Sequence, residues 1–254
     1  MKKIEPGMKL GRYVVESLVG AGAQGQVFFA RQLNAAGGKA CVIKVAPSLD
    51  VLEEAGRAMS LGSHVNVVQV LDAEVCDGVP FFAMEYADGT DLEGVLEAYR
   101  EKGTRLPLDF IYTVLLHLAT ALHVAHYEAT RGGKPLSLVH RDVKPANVLV
   151  TVWGYAKLCD FGISTRMEAQ QTGMHMRGTP AYMSREHVYS KVVPSMDVYS
   201  LGVVAWEMIA NRAFRPEAKT HAEHVDAILR GGGAVDGASG CACGTRRACR
   251  LMLA

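Results

Sequence analysis

One short segment restricts the fold and chemistry of this 254-residue chain more than any other. Between Leu138 and Val150 the sequence reads L-V-H-R-D-V-K-P-A-N-V-L-V, so charged and polar side chains lie between two apolar runs. Polar residues held between buried strands are typical of a catalytic loop. A second polar position follows at Asp160, within D-F-G and thirteen residues after Asn147. We therefore predict a catalytic loop at 138–150.

Composition excludes several other classes of protein. Hydrophobic residues make up 49% of the chain and charged residues 21%, which is globular usage rather than that of a disordered or collagen-like chain. The formal net charge is +1, so we expect neither nucleic acid nor an anionic membrane as the main partner. The first residues contain no apolar secretion signal, and we predict a cytoplasmic protein with reduced thiols and no membrane segment.

Hydrophobic periodicity changes along the chain. We predict strands at 13–18, 26–33, 40–46, 67–74 and 80–86, interrupted by one helix at 49–61. Beyond Gly89 the apolar spacing becomes helical, at 92–100, 109–129 and 196–209, with two short strands at 147–152 and 155–159. The fold class predicted is α+β, with a small β-rich lobe followed by a larger, mainly helical lobe.

A glycine-rich segment, V-G-A-G-A-Q-G-Q-V, lies between the first two predicted strands. Gly20, Gly22 and Gly25 would let a backbone without Cβ atoms approach phosphate oxygens. A dinucleotide-binding turn needs a helix after the third glycine, whereas the sequence continues as a strand. No G-x-x-x-x-G-K-[ST] sequence occurs, which excludes a Walker loop. A glycine-rich hairpin folded over a nucleotide and a plain hairpin turn both remain open.

Lys44 lies inside the apolar strand V-I-K, where a lysine is costly to bury without an opposite charge. Phosphate oxygens and a carboxylate from the following helix would supply that charge. Glu53 and Glu54 are the candidates, and for either one a solvated helix face is the alternative.

The order of glycine loop, V-I-K, H-R-D-x-K-x-x-N and D-F-G resembles the signature of the protein kinase family, more narrowly the eukaryotic-like Ser/Thr kinases of bacteria. The resemblance extends from about Tyr13 to about Gly231. It implies a bilobal fold with an N-lobe at 13–87 and a C-lobe at 88–230 that lacks its last helices. Residues 231–254 are then an atypical, disordered tail.

The resemblance also assigns roles to residues. Asp142 would be the catalytic base, helped by Lys144, while Asn147 and Asp160 would bind Mg²⁺, with Mn²⁺ as an alternative ion. The nucleotide contacts would come from Gly20, Gly22, Gly25, Val27, Lys44, Glu54, Glu85, Ala87 and Asp91, with Lys44 paired to Glu54 and also counted as catalytic. Arg141 and Thr172 would be regulatory, through phosphorylation of Thr172, and Glu186 and Asp197 structural.

The implied function is transfer of the γ-phosphoryl group of Mg-ATP to Ser or Thr hydroxyls of a protein substrate, with self-association for autophosphorylation in trans. Lys144 and the segment G-T-P-A-Y-M at 178–183 favour Ser or Thr over Tyr and a protein over a small molecule as substrate. The alternative is a catalytically impaired nucleotide-binding or regulatory module.

Two features depart from the kinase pattern. The family's A-P-E segment reads Ser184-Arg185-Glu186, and the arginine that would pair with Glu186 is not recognisable. After Arg230 the glycine- and cysteine-rich residues have no usable periodicity, which is explained either by a truncated or frameshifted gene or by a natural disordered tail. The pair His123 and His126 lacks a zinc-protease pattern, and we expect both on a helix surface.

Overall fold

The structure is a computed structural model, and it describes residues 3–22, 25–33, 38–46, 48–161, 165–166, 178–189, 191–215 and 218–230. Thr172, Gly162 and the predicted tail at 231–254 lie outside the described residues. The chain divides into two compact units, 1–88 and 89–254.

The first unit is a six-stranded antiparallel sheet with one helix. Its elements are β1 (Lys9–Leu10), β2 (Tyr13–Gly22), β3 (Gly25–Gln32), β4 (Lys39–Val45), α1 (Asp50–Met59), β5 (Val70–Cys76) and β6 (Val79–Glu85). The strands lie in the order β1-β2-β3-β4-β6-β5. Alternating side chains from β2, β3, β4 and β6, such as Val15, Phe28, Ile43 and Phe81, form a buried core on one face. Helix α1 packs on the other face through Val51 and Ala55 against Phe82.

The second unit is mainly helical and contains short antiparallel ladders. Its elements are β7 (Gly89–Asp91), α2 (Leu92–Glu101), α3 (Leu108–His123), β8 (Thr130–Arg131), β9 (Lys134–Pro135), β10 (Leu138–Val139), β11 (Val148–Thr151), β12 (Ala156–Leu158), β13 (Thr165–Arg166), α4 (Arg185–Val188), α5 (Ser195–Ala210) and α6 (His221–Arg230). Strand β11 pairs with both β7 and β12. The predicted α+β class, with its β-rich first part and helical second part, is confirmed.

Helix α5 lies at the centre of the second unit. Ten of its sixteen residues are buried, including Val203, Trp206 and Met208. It packs against α3, and α3 also packs against β12. The stretch Leu108–Glu128 has the length and the mean hydropathy, 1.5, of a membrane-crossing helix. Its buried face, with Val114 and Leu118, is equally that of a helix in a protein core.

Candidate active site

The predicted catalytic residue Asp142 lies in a dense set of hydrogen bonds in the second unit. Its Oδ1 accepts from the backbone N of Thr179 at 2.8 Å and from the Thr179 hydroxyl at 2.7 Å. The ammonium of Lys144 lies 2.9 Å from Oδ2 and donates to Thr179 Oγ1 at 2.8 Å. Asp142, Lys144 and Thr179 thus form a closed triangle in which the carboxylate is only 5% exposed.

These contacts decide the protonation state of Asp142. Burial alone would raise the pKa of the carboxyl, because desolvation disfavours the charged form. Hydrogen bonds from Lys144 and Thr179, with the positive charge of Lys144, outweigh burial and lower the pKa below its usual value. The group is therefore an ionised carboxylate at neutral pH, which is the form that can accept a proton.

Asn147 lies beside Asp142 and is itself buried. Its Nδ2 donates to the backbone oxygen of Asp142 at 2.8 Å and to Oδ2 at 3.2 Å. Because the Nδ2 group of Asn147 makes both of its contacts to Asp142, the amide oxygen is the atom of this side chain that can bind a cation. The short 3-10 turn Pro145–Asn147 sets this orientation immediately before β11.

Asp160 follows β12 and has a left-handed backbone, with φ of 63°. Its neighbours are fixed by His140, whose Nε2 lies 2.9 Å from the carbonyl oxygen of Cys159 and whose ring packs edge-on to Phe161 at 4.6 Å. Arg141 in the catalytic loop also has a positive φ, 71°. Such conformations are costly for residues with a Cβ and cluster at functional sites.

The donor set suits a hard cation better than a soft one. Within the described part of the chain, no group of three or more His, Cys, Asp or Glu side chains is placed to hold a metal ion. Asn147 and Asp160 offer an amide and a carboxylate oxygen. Mg²⁺ is commonly bound by one or two carboxylates together with water and substrate phosphates, so two protein oxygens fit this ion.

The buried carboxylate of Asp197, in the first turn of α5, holds the catalytic loop. It accepts hydrogen bonds from the backbone N of His140 at 2.7 Å and of Arg141 at 2.8 Å, and it lies 2.7 Å from Nε2 of His126. Asp197 is fully buried. The prediction of a surface position for His126 is wrong, because this side chain is 4% exposed and faces Asp197.

Helix α4 adds a second support for the catalytic loop. The ring of His187, which is 3% exposed, accepts from the backbone N of Ser184 through Nδ1 at 3.0 Å and lies 3.3 Å from the carbonyl oxygen of Arg141 through Nε2. Burial lowers the pKa of His187 to about 4. The neutral ring with its proton on Nε2 satisfies both contacts.

The S-R-E departure has a structural explanation. The guanidinium of Arg185 donates to the carbonyl oxygens of Ile228 and Leu229 at 3.3 and 3.1 Å, so it caps the C-terminal end of α6, where a positive charge is favourable. Glu186 is half-buried, and a hydrogen bond with Ser184 lowers its pKa. Among the described residues Glu186 has no ion-pair partner.

In the first unit, Lys44 and Glu54 form a buried ion pair. Nζ of Lys44 lies 2.7 Å from Oε1 of Glu54, and the two side chains are 7% and 10% exposed. Glu53 points elsewhere, since it is 76% exposed and lies 3.7 Å from Arg57. Charge and position alone leave both glutamates open, the family resemblance implies Glu54, and the structure joins Lys44 to Glu54.

The predicted glycine loop is the hairpin between β2 and β3. Gly20 pairs with Val27 and Gly22 with Gly25, while Val27 also pairs with Lys44 across β3 and β4. Gly25 has a φ of 126°, and a Cβ atom there would collide with the carbonyl oxygen of Val45. Added Cβ atoms at Gly20 and Gly22 would meet nothing within 4 Å, so those two positions leave open space above the strand.

Three other predicted nucleotide contacts lie at the end of the first unit and the start of the second. Glu85 ends β6, and its carboxylate accepts from the backbone N of Gln69 at 2.9 Å. Ala87 is half-buried. Asp91 is the N-cap of α2, where its Oδ1 accepts from the backbone N of Gly94 at 2.8 Å. The sequence did not predict this capping role.

Comparison with known proteins decides the family. The protein kinase domain family matches residues 13–231, which is most of the chain. The chain belongs to the protein kinase family. The resemblance inferred from the four motifs is therefore confirmed.

Three relatives illustrate this protein kinase family membership. Tyrosine-protein kinase MasK of Myxococcus xanthus is 30% identical over 214 residues, covering 79% of this chain and 33% of the relative. Serine/threonine-protein kinase PknA of Mycobacterium tuberculosis is 32% identical over 219 residues, covering 80% and 47%. Probable serine/threonine-protein kinase CPE1738 of Clostridium perfringens is 36% identical over 151 residues, covering 58% and 20%. The chain thus spans between a fifth and about half of the length of these kinases.

Sequence reasoning missed three residues of this candidate site. Thr179 contacts Asp142, His126 contacts Asp197, and His187 contacts the catalytic loop. The sequence separation between His126 and the catalytic loop does not predict that the side chain of His126 is buried. Thr179 lies in the G-T-P-A-Y-M segment, and that motif gives no indication of the partner of its hydroxyl.

Proposed function

We propose that this chain is a protein Ser/Thr kinase that transfers the γ-phosphoryl group of Mg-ATP to Ser and Thr side chains. The observation that carries the proposal is the triangle of Asp142, Lys144 and Thr179. It would supply an ionised base and a cation beside that base, with Thr179 donating from its backbone N to Asp142 and accepting from Lys144 through its hydroxyl.

In the proposed reaction, the oxygen of the substrate hydroxyl bonds to the γ-phosphorus as the bond to the ADP oxygen breaks. The hydroxyl proton passes to the carboxylate of Asp142, and ADP leaves. Lys144 stabilises negative charge on the transferred phosphoryl oxygens. Asn147 and Asp160 would hold Mg²⁺, which when bound neutralises charge on the nucleotide phosphates.

The first unit would serve the nucleotide. Lys44, kept in place by Glu54, would neutralise charge on the α- and β-phosphates, and the hairpin carrying Gly20, Gly22 and Gly25 would offer backbone N–H groups to phosphate oxygens. We propose that Glu85 and Ala87 provide backbone contacts to adenine and Asp91 a ribose contact. The functional boundaries proposed are 13–87 for this lobe and 88–230 for the catalytic lobe.

The preference for Ser or Thr over Tyr rests on the closeness of Thr179 to Asp142. A peptide bound along 179–183 would lie next to the base, so a short hydroxyl side chain could reach it. A phenol would need the peptide to lie farther away. The name of MasK, a tyrosine-protein kinase, makes this preference a point to be tested.

Regulation by phosphorylation is part of the proposal. Arg141 precedes the base and would pair with a phosphate on Thr172, added by a second copy of the chain. Among the described residues, Cys41, Cys76 and Cys159 form no disulfide bond, which is compatible with a reducing, ATP-supplied cytoplasm. Mass spectrometry after incubation with Mg-ATP should find phosphate at Thr172.

Incubation with γ-³²P-ATP and myelin basic protein, followed by phosphoamino-acid analysis, tests the function. We expect label in phosphoserine and phosphothreonine. Label confined to phosphotyrosine would contradict the Ser/Thr preference. ATP binding without any transfer would instead support the alternative, an impaired nucleotide-binding or regulatory module.

A further inference from the structure

Arg215 follows α5 and reaches the backbone of the 179–183 segment. Its Nη1 donates to the carbonyl oxygens of Pro180, Ala181 and Met183 at 3.5, 3.0 and 3.4 Å. Its Nη2 donates to the hydroxyl of Tyr199 at 2.6 Å. The residue is only 7% exposed. One buried guanidinium therefore contacts three carbonyl groups of one short turn.

Among the described residues, no carboxylate neutralises the charge of Arg215. In the described ranges no Asp or Glu oxygen lies within 4 Å of it, and its Nε has no hydrogen-bond partner. Burial lowers the pKa of Arg215, although the contact with Tyr199 opposes that effect. The rings of Phe214 and Tyr199 lie 5.1 and 6.0 Å from its guanidinium carbon, which gives weak cation–π support. Because a buried charge needs polar partners, the carbonyl groups are its main compensation.

The same turn touches the candidate base at its other end. Thr179 is the N-cap of the 3-10 turn Pro180–Tyr182 and donates two hydrogen bonds to Asp142. Movement of the turn would therefore change the distance between Thr179 and Asp142. Arg215 binds the carbonyl groups of the turn, and Asp142 of the catalytic loop binds Thr179 at the start of the turn.

We propose that Arg215 is a positioning residue for the protein substrate, acting through segment 179–183. This inference rests on the proposed kinase function. By fixing the turn, Arg215 would keep the bound peptide at the distance from which its hydroxyl reaches Asp142. It would have no part in binding ATP. Its loss should therefore weaken the use of protein substrate selectively.

The test compares Arg215→Met and Arg215→Lys with the wild type, and Arg212→Met is the matched control from the same loop, where Arg212 is exposed. For Arg215→Met we expect the KM for myelin basic protein to rise about tenfold or more, since several charge-assisted hydrogen bonds are lost. The KM for ATP should stay within about twofold, and amide hydrogen exchange at 179–183 should become faster. The KM of Arg215→Lys for myelin basic protein should lie between those of the wild type and Arg215→Met, because an ammonium cannot reproduce the planar donor fork of a guanidinium.

An unchanged KM for myelin basic protein in folded Arg215→Met would overturn the inference, as would an equal rise in both KM values. If Arg215→Met does not fold, Arg215→Lys decides in the same way. Absence of transfer by the wild type would contradict the kinase function itself, and exchange at 179–183 would then still show whether Arg215 holds the turn.

Discussion

His126 and Asp197 form a buried pair, with 2.7 Å between Nε2 of the imidazole and Oδ2 of the carboxylate. They join the end of the α3 region to the start of α5. The same carboxylate accepts the backbone N–H groups of His140 and Arg141. The catalytic loop is thus held by an acidic side chain that never contacts solvent.

Replacing Asp197 with Asn should therefore destabilise the protein strongly. The amide would keep the shape of the side chain but set an N–H group against existing donors, and we expect a loss of about 3 kcal/mol in the free energy of unfolding. Urea denaturation measures this. Asp226→Asn is the control, since Asp226 forms an exposed pair with Arg230 and should change the free energy by less than about 1 kcal/mol. Equal effects of the two substitutions would contradict the proposed support.

The neighbouring glutamates of α1 give a matched test of the Lys44 ion pair. Glu54→Gln removes the carboxylate that lies 2.7 Å from Lys44, whereas Glu53→Gln changes an exposed side chain. Loss of one member of a buried ion pair is strongly destabilising, and we expect about 3 kcal/mol of destabilisation with weakened phosphoryl transfer only for Glu54→Gln. Thermal unfolding and transfer rates measure the two effects. Similar behaviour of the two variants would remove the special role of Glu54.

The acid limb of the pH–rate profile should depend on Lys144. Hydrogen bonds from Lys144 and Thr179 lower the pKa of Asp142, so the ionised base persists as the pH falls below the ordinary range of aspartate, and activity is lost only below that lowered pKa. Lys144→Met removes one of the contacts that lower the pKa. The acid limb of the kcat/KM profile should then lie at higher pH than in the wild type. The rate of transfer should also fall. An unchanged limb would show that Asp142 is not the group that titrates.

His187 should make stability dependent on pH between about 4 and 6.5. Its pKa is about 4 in the folded protein and about 6.5 for an unperturbed histidine, so the unfolded chain binds more protons in this window. Stability is complete above pH 6.5 and is lost as the pH falls, by about 3 kcal/mol in total. His187→Gln should flatten this part of the pH profile in urea denaturation, while His221→Gln, at an exposed position, should not. If His187→Gln and the wild type have the same pH profile of stability, His187 is not the group that titrates.

Strand and helix positions could be predicted because their periodicities are strong. The helix predicted at 196–209 is α5, Ser195–Ala210, and the five strands predicted in the β-rich part correspond to β2 to β6, whereas β1 was not predicted. The pairing of Lys44 with Glu54 rather than Glu53 could not be derived from charge alone, since both glutamates lie on the same helix. Only the rotation of α1 against the sheet decides which one faces inward.

His126 is buried, although the missing zinc-protease pattern favours a helix-surface position. The helix α3 ends at His123, and residues Val124–Glu128 form a π-helical turn. A π-turn uses more residues per turn than an α-helix and shifts the phase of every side chain after it. Even so, His126 follows the buried Leu122 by four residues, the spacing of one helix face, so the periodicity is compatible with its burial. The hairpin of β8 and β9 that follows was also not predicted, although its Gly132-Gly133 tip is a recognised turn signal.

Transfer of phosphate by the wild type and by Asp142→Asn tests the central claim most directly. Single-turnover transfer from γ-³²P-ATP to myelin basic protein should be readily measured for the wild type and should fall by about 100-fold or more in Asp142→Asn, because the base is lost. ATP affinity, measured in parallel by calorimetry, should stay close to the wild-type value. Equal transfer rates for the two proteins would contradict the assignment of Asp142 as the base of a protein kinase.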